Sequence, residues 1–439
     1  MKKFLFKMVV AISFLLIPKN TYATNLYDKE LQADSALMIN LEYDQIVVEK
    51  NIHKRRSPAS LTKIMTFIVT SEKIKNPETE YVTISKDIFD KMQKDEPESS
   101  VSNLKDGDRL SILELLYCMM VASGNDAAMV LANYVGQGSI ESFVDLMNQK
   151  ALDIGCNNTH FTNPHGLYNE DHYSTAMDMY LMSRYAMDLP HFKEIVSTVE
   201  YDVFKDSRPK LVNTNKLINP NSGEKYYYKY AKGIKTGQHN QAGRCLASYA
   251  KKDSLSYICI ILGTPKKNNL GEKIEENLAI IETKNLYIWA FNELSLTPLT
   301  NSRNPINEIK LNLAWKKDKL LLYPEKDTSV FLPKNFDKNE IRLSFNLPNS
   351  ICATVKKNQI IGNVDFFYKD TFLSNTNLVS RDDVKKSIIM VIINFLFSIP
   401  FLVSIGTLTL IILLYVLAAF NKNLRKKSVK KSSKKIPHS

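Results

Sequence analysis

The sequence predicts an α/β (α+β) protein in which an antiparallel sheet is flanked by helices, followed by a small all-β domain and one transmembrane helix. Three observations carry this expectation. Apolar residues recur at helical spacing between residues 61 and 187 and give way to strand-like runs from residue 226. From about Leu296 only short alternating segments follow, and Ser387 to Asn421 holds no charged residue.

At the amino end, Lys2 and Lys3 precede an apolar run from Met8 to Ile17, and Thr21-Tyr22-Ala23 offers a cleavage site. This is the pattern of a secretory signal over residues 1–23, with a short uncleaved anchor as the alternative. Ala36 to Asn40 and Gln45 to Glu49 read as two strands joined by a polar turn. Ser57-Pro58-Ala59-Ser60 supplies turn chemistry ahead of a helix from Leu61 to Val69. Helical patterns recur at Ile112 to Val121, Ala127 to Val135, Ile140 to Ile154 and Ala176 to Met187. Tyr226 to Thr236, Cys245 to Ala250 and Leu255 to Leu262 read as antiparallel strands, and Ile281 to Leu294 as a helix closing a domain of residues 24–296.

Six short segments then alternate: Ile309 to Leu313, Lys319 to Leu322, Val330 to Leu332, Ile341 to Phe345, Ile351 to Val355 and Ile360 to Phe367. They define a β-rich domain over residues 297–380. Ser380-Arg381-Asp382-Asp383 leads into a predicted anchor at 387–420, whose minimal span is Phe401 to Phe420. Thirty-five uncharged residues would reach about 52 Å as a straight helix, against a hydrocarbon core of about 30 Å. Tilt, or a kink at Pro400, is therefore expected.

Charge divides along the chain in a way that decides the class of partner. The net charge is +12, but twelve of the 58 basic residues lie in residues 1–23 and 421–439, which carry no acid. The remaining 46 basic residues balance 46 acidic ones, so the net charge gives no argument for a basic nucleic-acid groove in the body. The basic tail after the anchor places residues 421–439 in the cytoplasm by the positive-inside rule, leaving the body exported and tethered to the cytoplasmic membrane.

Five cysteines are too few and too scattered for a disulfide framework or a zinc site, and packing is their expected role. A hairpin turning at Lys251-Lys252-Asp253-Ser254 would bring Cys245 and Cys259 nearly opposite each other, which leaves a disulfide open in an exported protein.

Three short motifs carry chemistry. Ser60-Leu61-Thr62-Lys63 stands at a turn-to-helix junction, and the three-residue spacing puts Ser60 and Lys63 on one face. A hydroxyl needs a base, and a lysine amine made neutral by burial and neighbouring positive charge can be one. Ser123-Gly124-Asn125 lies between two helical runs, where a tight loop could aim a hydroxyl and a carboxamide into a cleft. Lys235-Thr236-Gly237 sits on a strand, and alternation sends Lys235 and Gly237 to one face and Thr236 to the other. A cation and a hydroxyl there could hold a carboxylate, and a glycine lets the backbone approach closely. Each motif alone is equally well a cap, a turn or a surface lysine.

In this order and spacing the three resemble the Ser-x-x-Lys, Ser-x-Asn and Lys-Thr-Gly set of penicillin-binding proteins and serine β-lactamases. Pro58 to Thr66, Ser123 to Ala128, Asn163-Pro164-His165-Gly166-Leu167 and Ser174 to Met179 further resemble the low-molecular-mass D-alanyl-D-alanine carboxypeptidases. The resemblance spans residues 25 to 380. It implies a penicillin-binding, serine β-lactamase-like catalytic domain and an acyl-enzyme mechanism on peptidoglycan stem peptides. Ser60 would attack the carbonyl between two terminal D-alanines while Lys63 takes its proton. Ser123 would relay a proton to the leaving amine, and Asn125 would bind substrate and position Lys63. Lys235 and Thr236 would hold the terminal carboxylate, with Gly237 beside them and the backbone N–H groups of Ser60 and Gln238 forming the oxyanion hole. β-Lactams would act as covalent inhibitors.

The resemblance also implies that the loop carrying His165 borders the cleft without supplying the base, so His165 is expected to be structural. His160, His165 and His172 are spaced too irregularly for a metal set, and no metal or other cofactor is expected. Two departures bear on carboxylate recognition. Where the family often places arginines, this chain reads Asn213-Thr214-Asn215-Lys216 and Lys266-Lys267-Asn268-Asn269.

Three rivals share parts of this pattern. A β-lactamase of one class needs a Glu-x-x-Leu-Asn water activator, and Glu308-Ile309-Lys310-Leu311-Asn312 falls in the predicted β domain, after the other motifs. An endopeptidase acting on D-alanyl cross-links would use the same catalytic set. A non-catalytic wall-binding protein of the same fold would be expected to have lost at least one motif.

Overall fold

The computed structural model describes residues 26–88, 99–205 and 207–432. The predicted signal segment lies outside the described residues, as does the end of the basic tail. The chain divides into two units. The first extends to Thr297 and takes in Val330–Arg342 and Phe367–Ser374; the second comprises Pro298–Ser329, Leu343–Phe366 and the residues from Asn375 onward.

In the first unit, β1 (Ser35–Asn40), β2 (Gln45–Lys50), β3 (Ala231–His239), β4 (Gly243–Lys252) and β5 (Leu255–Thr264) form one sheet in the order β2-β1-β5-β4-β3. Every pairing is antiparallel. Around the sheet lie α1 (Lys63–Lys73), α2 (Ile112–Val121), α3 (Asn125–Val135), α4 (Ile140–Ile154), α5 (Ala176–Ala186), α6 (Phe192–Ser197) and α7 (Leu278–Glu293).

Strands β1 and β5 are apolar on both sides because both sides are covered. Leu37, Ile39, Ile258 and Ile260 enter the main core with α1 and α2. Met38 opposite Cys259 faces the other way, where Cys259 meets Thr283 and Tyr257 meets Phe291 of α7. Phe67 on α1 packs edge-on against Phe192 on α6 at 4.9 Å, a pair worth about 1 kcal/mol beyond its burial.

Helix starts follow local chemistry. Ser111 and Glu114 form a reciprocal capping box on α2, while Ser139 and Thr175 accept from the third residue onward on α4 and α5. Each such cap contributes about 1 kcal/mol. Helix α1 lacks one: a 3-10 turn at Ala59–Thr62 feeds it directly, so Ser60 precedes the helix that was expected to begin at Leu61.

Several expectations shift. Tyr226 to Tyr230 lies outside the strand, and β3 begins only at Ala231. The tyrosines there pack on α7 instead: Tyr228 stacks on Tyr287, and Tyr230 lies tilted against Phe291. Aromatic enrichment mimicked strand propensity. The hairpin turns where expected, with Lys252 opposite Leu255, but the register places Cys259 opposite Ser248, not Cys245. All five cysteines are free thiols.

A six-stranded sheet, drawn mostly from residues of the second unit, is formed by β6 (Asn307–Asn312), β7 (Lys319–Pro324), β8 (Ile341–Asn346), β9 (Ser350–Cys352), β10 (Ile360–Tyr368) and β11 (Thr371–Ser380) in the order β8-β10-β11-β7-β6-β9. Strand β11 had no expected counterpart, because Ser374-Asn375-Thr376-Asn377 breaks its apolar pattern. Glu308 lies on β6 and pairs with Lys319.

The apolar carboxy-terminal stretch forms two helices, α8 (Ile388–Leu396) and α9 (Ile399–Ser432). The interruption precedes Pro400 instead of falling on it. Proline sits in the first turn of α9, where its missing N–H leaves no intrahelical bond unmade. Ile399–Lys422 is 24 residues long, unburied, and long and apolar enough to cross a membrane.

Candidate active site

The site is assembled where the 3-10 turn, the start of α3 and strand β3 converge. Ala59 adopts φ +50°, a left-handed conformation rare for a residue with a side chain, and so turns Ser60 towards the cleft. Gly166, at φ +89°, packs on this turn so closely that a Cβ would come within 1.9 Å of Ala59 O.

Lys63, in the first turn of α1, is fully buried. Its Nζ lies 2.9 Å from Ser60 Oγ, 2.6 Å from Asn125 Oδ1 and 2.9 Å from the carbonyl oxygen of His165. Burial, aided by the charge of Lys235, holds its amine well below the ordinary range, while Asp126 opposes the shift. A neutral amine has two N–H donors and one lone pair. Two carbonyl acceptors and one hydroxyl surround it: the ammonium would donate to all three, whereas the neutral form favoured by burial donates to Asn125 and His165 and turns its lone pair towards the Ser60 hydroxyl.

Asn125 opens α3 and also donates through Nδ2 to Ser99 Oγ. Its neighbour Asp126 is buried and accepts from Ser102 N–H, Ser102 Oγ and Ala127 N–H. Those bonds tie the segment carrying Ser99 and Ser100 to the helix start. Ser123 stands just before, buried and at φ +63°.

Strand β3 forms the opposite wall. Lys235 is 1% exposed, its Nζ donates to the Thr236 carbonyl at 3.2 Å, and burial lowers its amine to about 7. Thr236 is half-buried, with its hydroxyl 2.6 Å from that of Thr214. A Cβ on Gly237 would lie 2.9 Å from Pro58 O and 3.1 Å from Ser60 N, so only glycine lets the strand come this close to the turn. The cleft is lined by Ser60, Ser123, Thr236, Gly237 and Gln238, together with Ser100, Thr214, Lys216, Tyr226 and Arg244.

Sequence reasoning missed several contributors. The His165 carbonyl is a main-chain group that no side-chain motif reveals. Asp126 stood inside a quoted motif without a role. Arg244 reaches the cleft from β4, its guanidinium donating to the carbonyls of Ile274 and Glu276 at 2.6 Å each. Of the two lysine-bearing stretches, Thr214 and Lys216 line the cleft, whereas Lys266 bonds Asn240. His172 is fully occupied in the core: its Nδ1 accepts from Thr162 N–H and its Nε2 meets Thr62 Oγ1.

The family model for D-alanyl-D-alanine carboxypeptidases matches residues 20–266. The chain belongs to that family. Residues 307–386 match the model for the C-terminal domain of penicillin-binding protein 5. This carboxypeptidase is 30% identical to the D-alanyl-D-alanine carboxypeptidase DacC of Escherichia coli, over 86% of this chain and 90% of that one. It is 28% identical to DacF of Bacillus subtilis over 88% and 96% of the two chains. Among solved structures, the carboxypeptidase DacD of Francisella tularensis superposes with a TM-score of 0.65 at 26% identity, covering 84% of this chain and 98% of that one. Penicillin-binding protein 5 of Haemophilus influenzae gives 0.58 at 27% identity, over 82% and 99%. The chain is therefore a serine-type peptidase of the penicillin-binding class, and the carboxypeptidase reading stands ahead of the endopeptidase and binding-protein alternatives.

Proposed function

We propose that this enzyme removes the terminal D-alanine of peptidoglycan stem peptides through an acyl-enzyme on Ser60. The observation that carries the reading is the set of three groups around the buried Lys63 amine, two acceptors and one hydroxyl. The Lys63 lone pair takes the Ser60 proton as Oγ bonds to the substrate carbonyl carbon. Collapse breaks the C–N bond, and the Ser123 hydroxyl passes the proton from Lys63 to the leaving D-alanine amine. Water then hydrolyses the ester and frees Ser60. Backbone N–H groups of Ser60 and Gln238 stabilise the oxyanion, and Lys235 with Thr236 holds the terminal carboxylate. A β-lactam enters by the same first step and leaves slowly.

The catalytic unit works on the extracytoplasmic side of the cytoplasmic membrane, after signal removal, tethered by the apolar helix. The β-rich domain over residues 297–380 acts as a spacer between membrane and wall.

The test is incubation of the purified protein with a pentapeptide stem and with benzylpenicillin, read by D-alanine release and by intact mass. Wild type should release D-alanine and gain a penicilloyl adduct on Ser60. Lys63→Arg, whose side chain cannot shed its proton, should lose about 10²–10⁴-fold in acylation rate. An adduct on Ser60→Ala would sink the assignment.

A further inference from the structure

We propose that one end of the second unit's sheet is a docking surface for an anionic phospholipid headgroup layer, with Trp315 as its interfacial anchor. The proposal rests on reading Ile399–Lys422 as membrane-crossing.

Three segments meet at this end. They are the loop 313–318 after β6, residues 353–357 after β9, and residues 381–387 ahead of α8. Hydrogen bonds fasten them together. Ser387 N donates to Leu313 O at 2.8 Å, Ala353 N to Asn312 O at 2.9 Å, and Val355 and Val384 exchange bonds of 2.9 and 2.8 Å. Lys357 N donates to Asp383 Oδ1 at 2.9 Å, and Lys317 pairs with Asp382 at 2.5 Å. The loop bearing Trp315 is thus tied to Ser387, the cap residue of α8.

Charge on these segments is lopsided where the body as a whole is balanced. They carry seven cations, Lys316, Lys317, Lys356, Lys357, Arg381, Lys385 and Lys386, against Asp318, Asp382 and Asp383. Two of the three acids are engaged by Lys317 and by the Lys357 backbone. Lys316, Lys356, Lys357, Lys385 and Lys386 are exposed, and Trp315 is 52% exposed among them. An indole has an apolar body and a polar N–H, a combination suited to the boundary between acyl chains and headgroups. Lysines nearby gain from an anionic surface only within a Debye length of it.

Helix lengths set the depth. The 24 residues of Ile399–Lys422 rise about 36 Å, enough for a core of about 30 Å. The apolar α8 is then left at the boundary on the sheet's side, and Ser387 sits at headgroup level with the basic loops around it.

The chain contains two tryptophans, so Trp289→Phe leaves Trp315 as sole reporter. The full-length variant is reconstituted in phosphatidylcholine vesicles with or without phosphatidylglycerol, using lipids brominated near the headgroup. Bromolipid should quench Trp315 emission at least twofold in the anionic vesicles, and adding Lys316→Glu, Lys385→Glu and Lys386→Glu should abolish that quenching while penicillin acylation persists. Emission that stays unquenched by bromolipid and accessible to aqueous iodide overturns the proposal. Equal quenching without phosphatidylglycerol overturns its anionic character. Wash-off of the chain by alkaline carbonate overturns the membrane-crossing reading and this one with it; retention with unquenched Trp315 overturns this one alone.

Discussion

The carboxamide oxygen of Asn125 stands 2.6 Å from Lys63 Nζ. A neutral acceptor here satisfies one N–H of the amine without fixing a positive charge on it. Asn125→Asp keeps the shape but introduces a carboxylate, which favours the ammonium and raises the Lys63 pKa. The fraction of free amine at neutral pH falls, so the acid limb of the acylation profile should move upward. Penicillin acylation at pH 7 should drop by about 10²–10³-fold, the scale of losing a general base. An unshifted limb would remove Lys63 from the proposed role.

Lys235 gives the alkaline side of the same profile. Burial brings its amine to about 7 in the ligand-free protein. Because the charge of Lys235 helps to depress Lys63, Lys63 should lose its proton first as pH rises. For a carboxylate-bearing substrate, kcat/KM should climb as Lys63 deprotonates and fall above about 7 as Lys235 does. Lys235→Arg, charged at every working pH, should remove the falling limb even though its peak is lower. Stability follows from the same shift. Between about 7 and the ordinary value of 10.5 the unfolded chain holds the extra proton, so stability should rise with pH across that window. Lys235→Met should therefore raise Tm at pH 7 and lose turnover.

The sequence made the site legible to the extent that side chains carry it. Ser60 and Lys63 meet as their three-residue spacing implied, since a helical turn is a local device, whereas Asn125 beside Lys63 was implied only by the family resemblance. What escaped was the main-chain share: the His165 carbonyl on Lys63 and the left-handed Ala59. Both depend on a loop some hundred residues away packing through Gly166, which no periodicity encodes. The strands of the first sheet were readable where burial on both sides forces continuous apolar runs, as in β1 and β5. Strand β11 was not, because its Asn375-Thr376-Asn377 stretch reads as a turn, yet Thr376 is buried within the sheet.

Gly237 separates proximity from chemistry. A Cβ would meet Pro58 O at 2.9 Å and Ser60 N at 3.1 Å, both backbone atoms that cannot swing aside. Gly237→Ala should push β3 away from the turn that carries the proposed nucleophile. Misplacement of this kind costs about 10²-fold in rate, and far-ultraviolet circular dichroism should be unchanged. Full activity in the variant would mean that the wall yields and that the close approach is not needed.

His172 tests whether the buried histidines serve the fold or the chemistry. Its Nδ1 accepts from Thr162 N–H at 3.1 Å, so its own proton resides on Nε2 and goes to Thr62 Oγ1 at 2.8 Å. Thr62 in turn donates to Ala59 O at 2.8 Å, bracing the turn that holds Ser60. Burial, with His160 and His239 nearby, lowers the ring to about 3. Between that value and its ordinary 6.5 the unfolded chain binds the extra proton, so stability is lost as pH falls through the window. Urea unfolding should show wild type losing about 2 kcal/mol from pH 7.5 to 5 on this account. His172→Gln should lose less over that interval while starting about 1–2 kcal/mol lower from the broken bonds. Penicillin acylation at pH 7.5 should stay within tenfold of wild type. A collapse of acylation with intact stability would instead give His172 a part in the reaction.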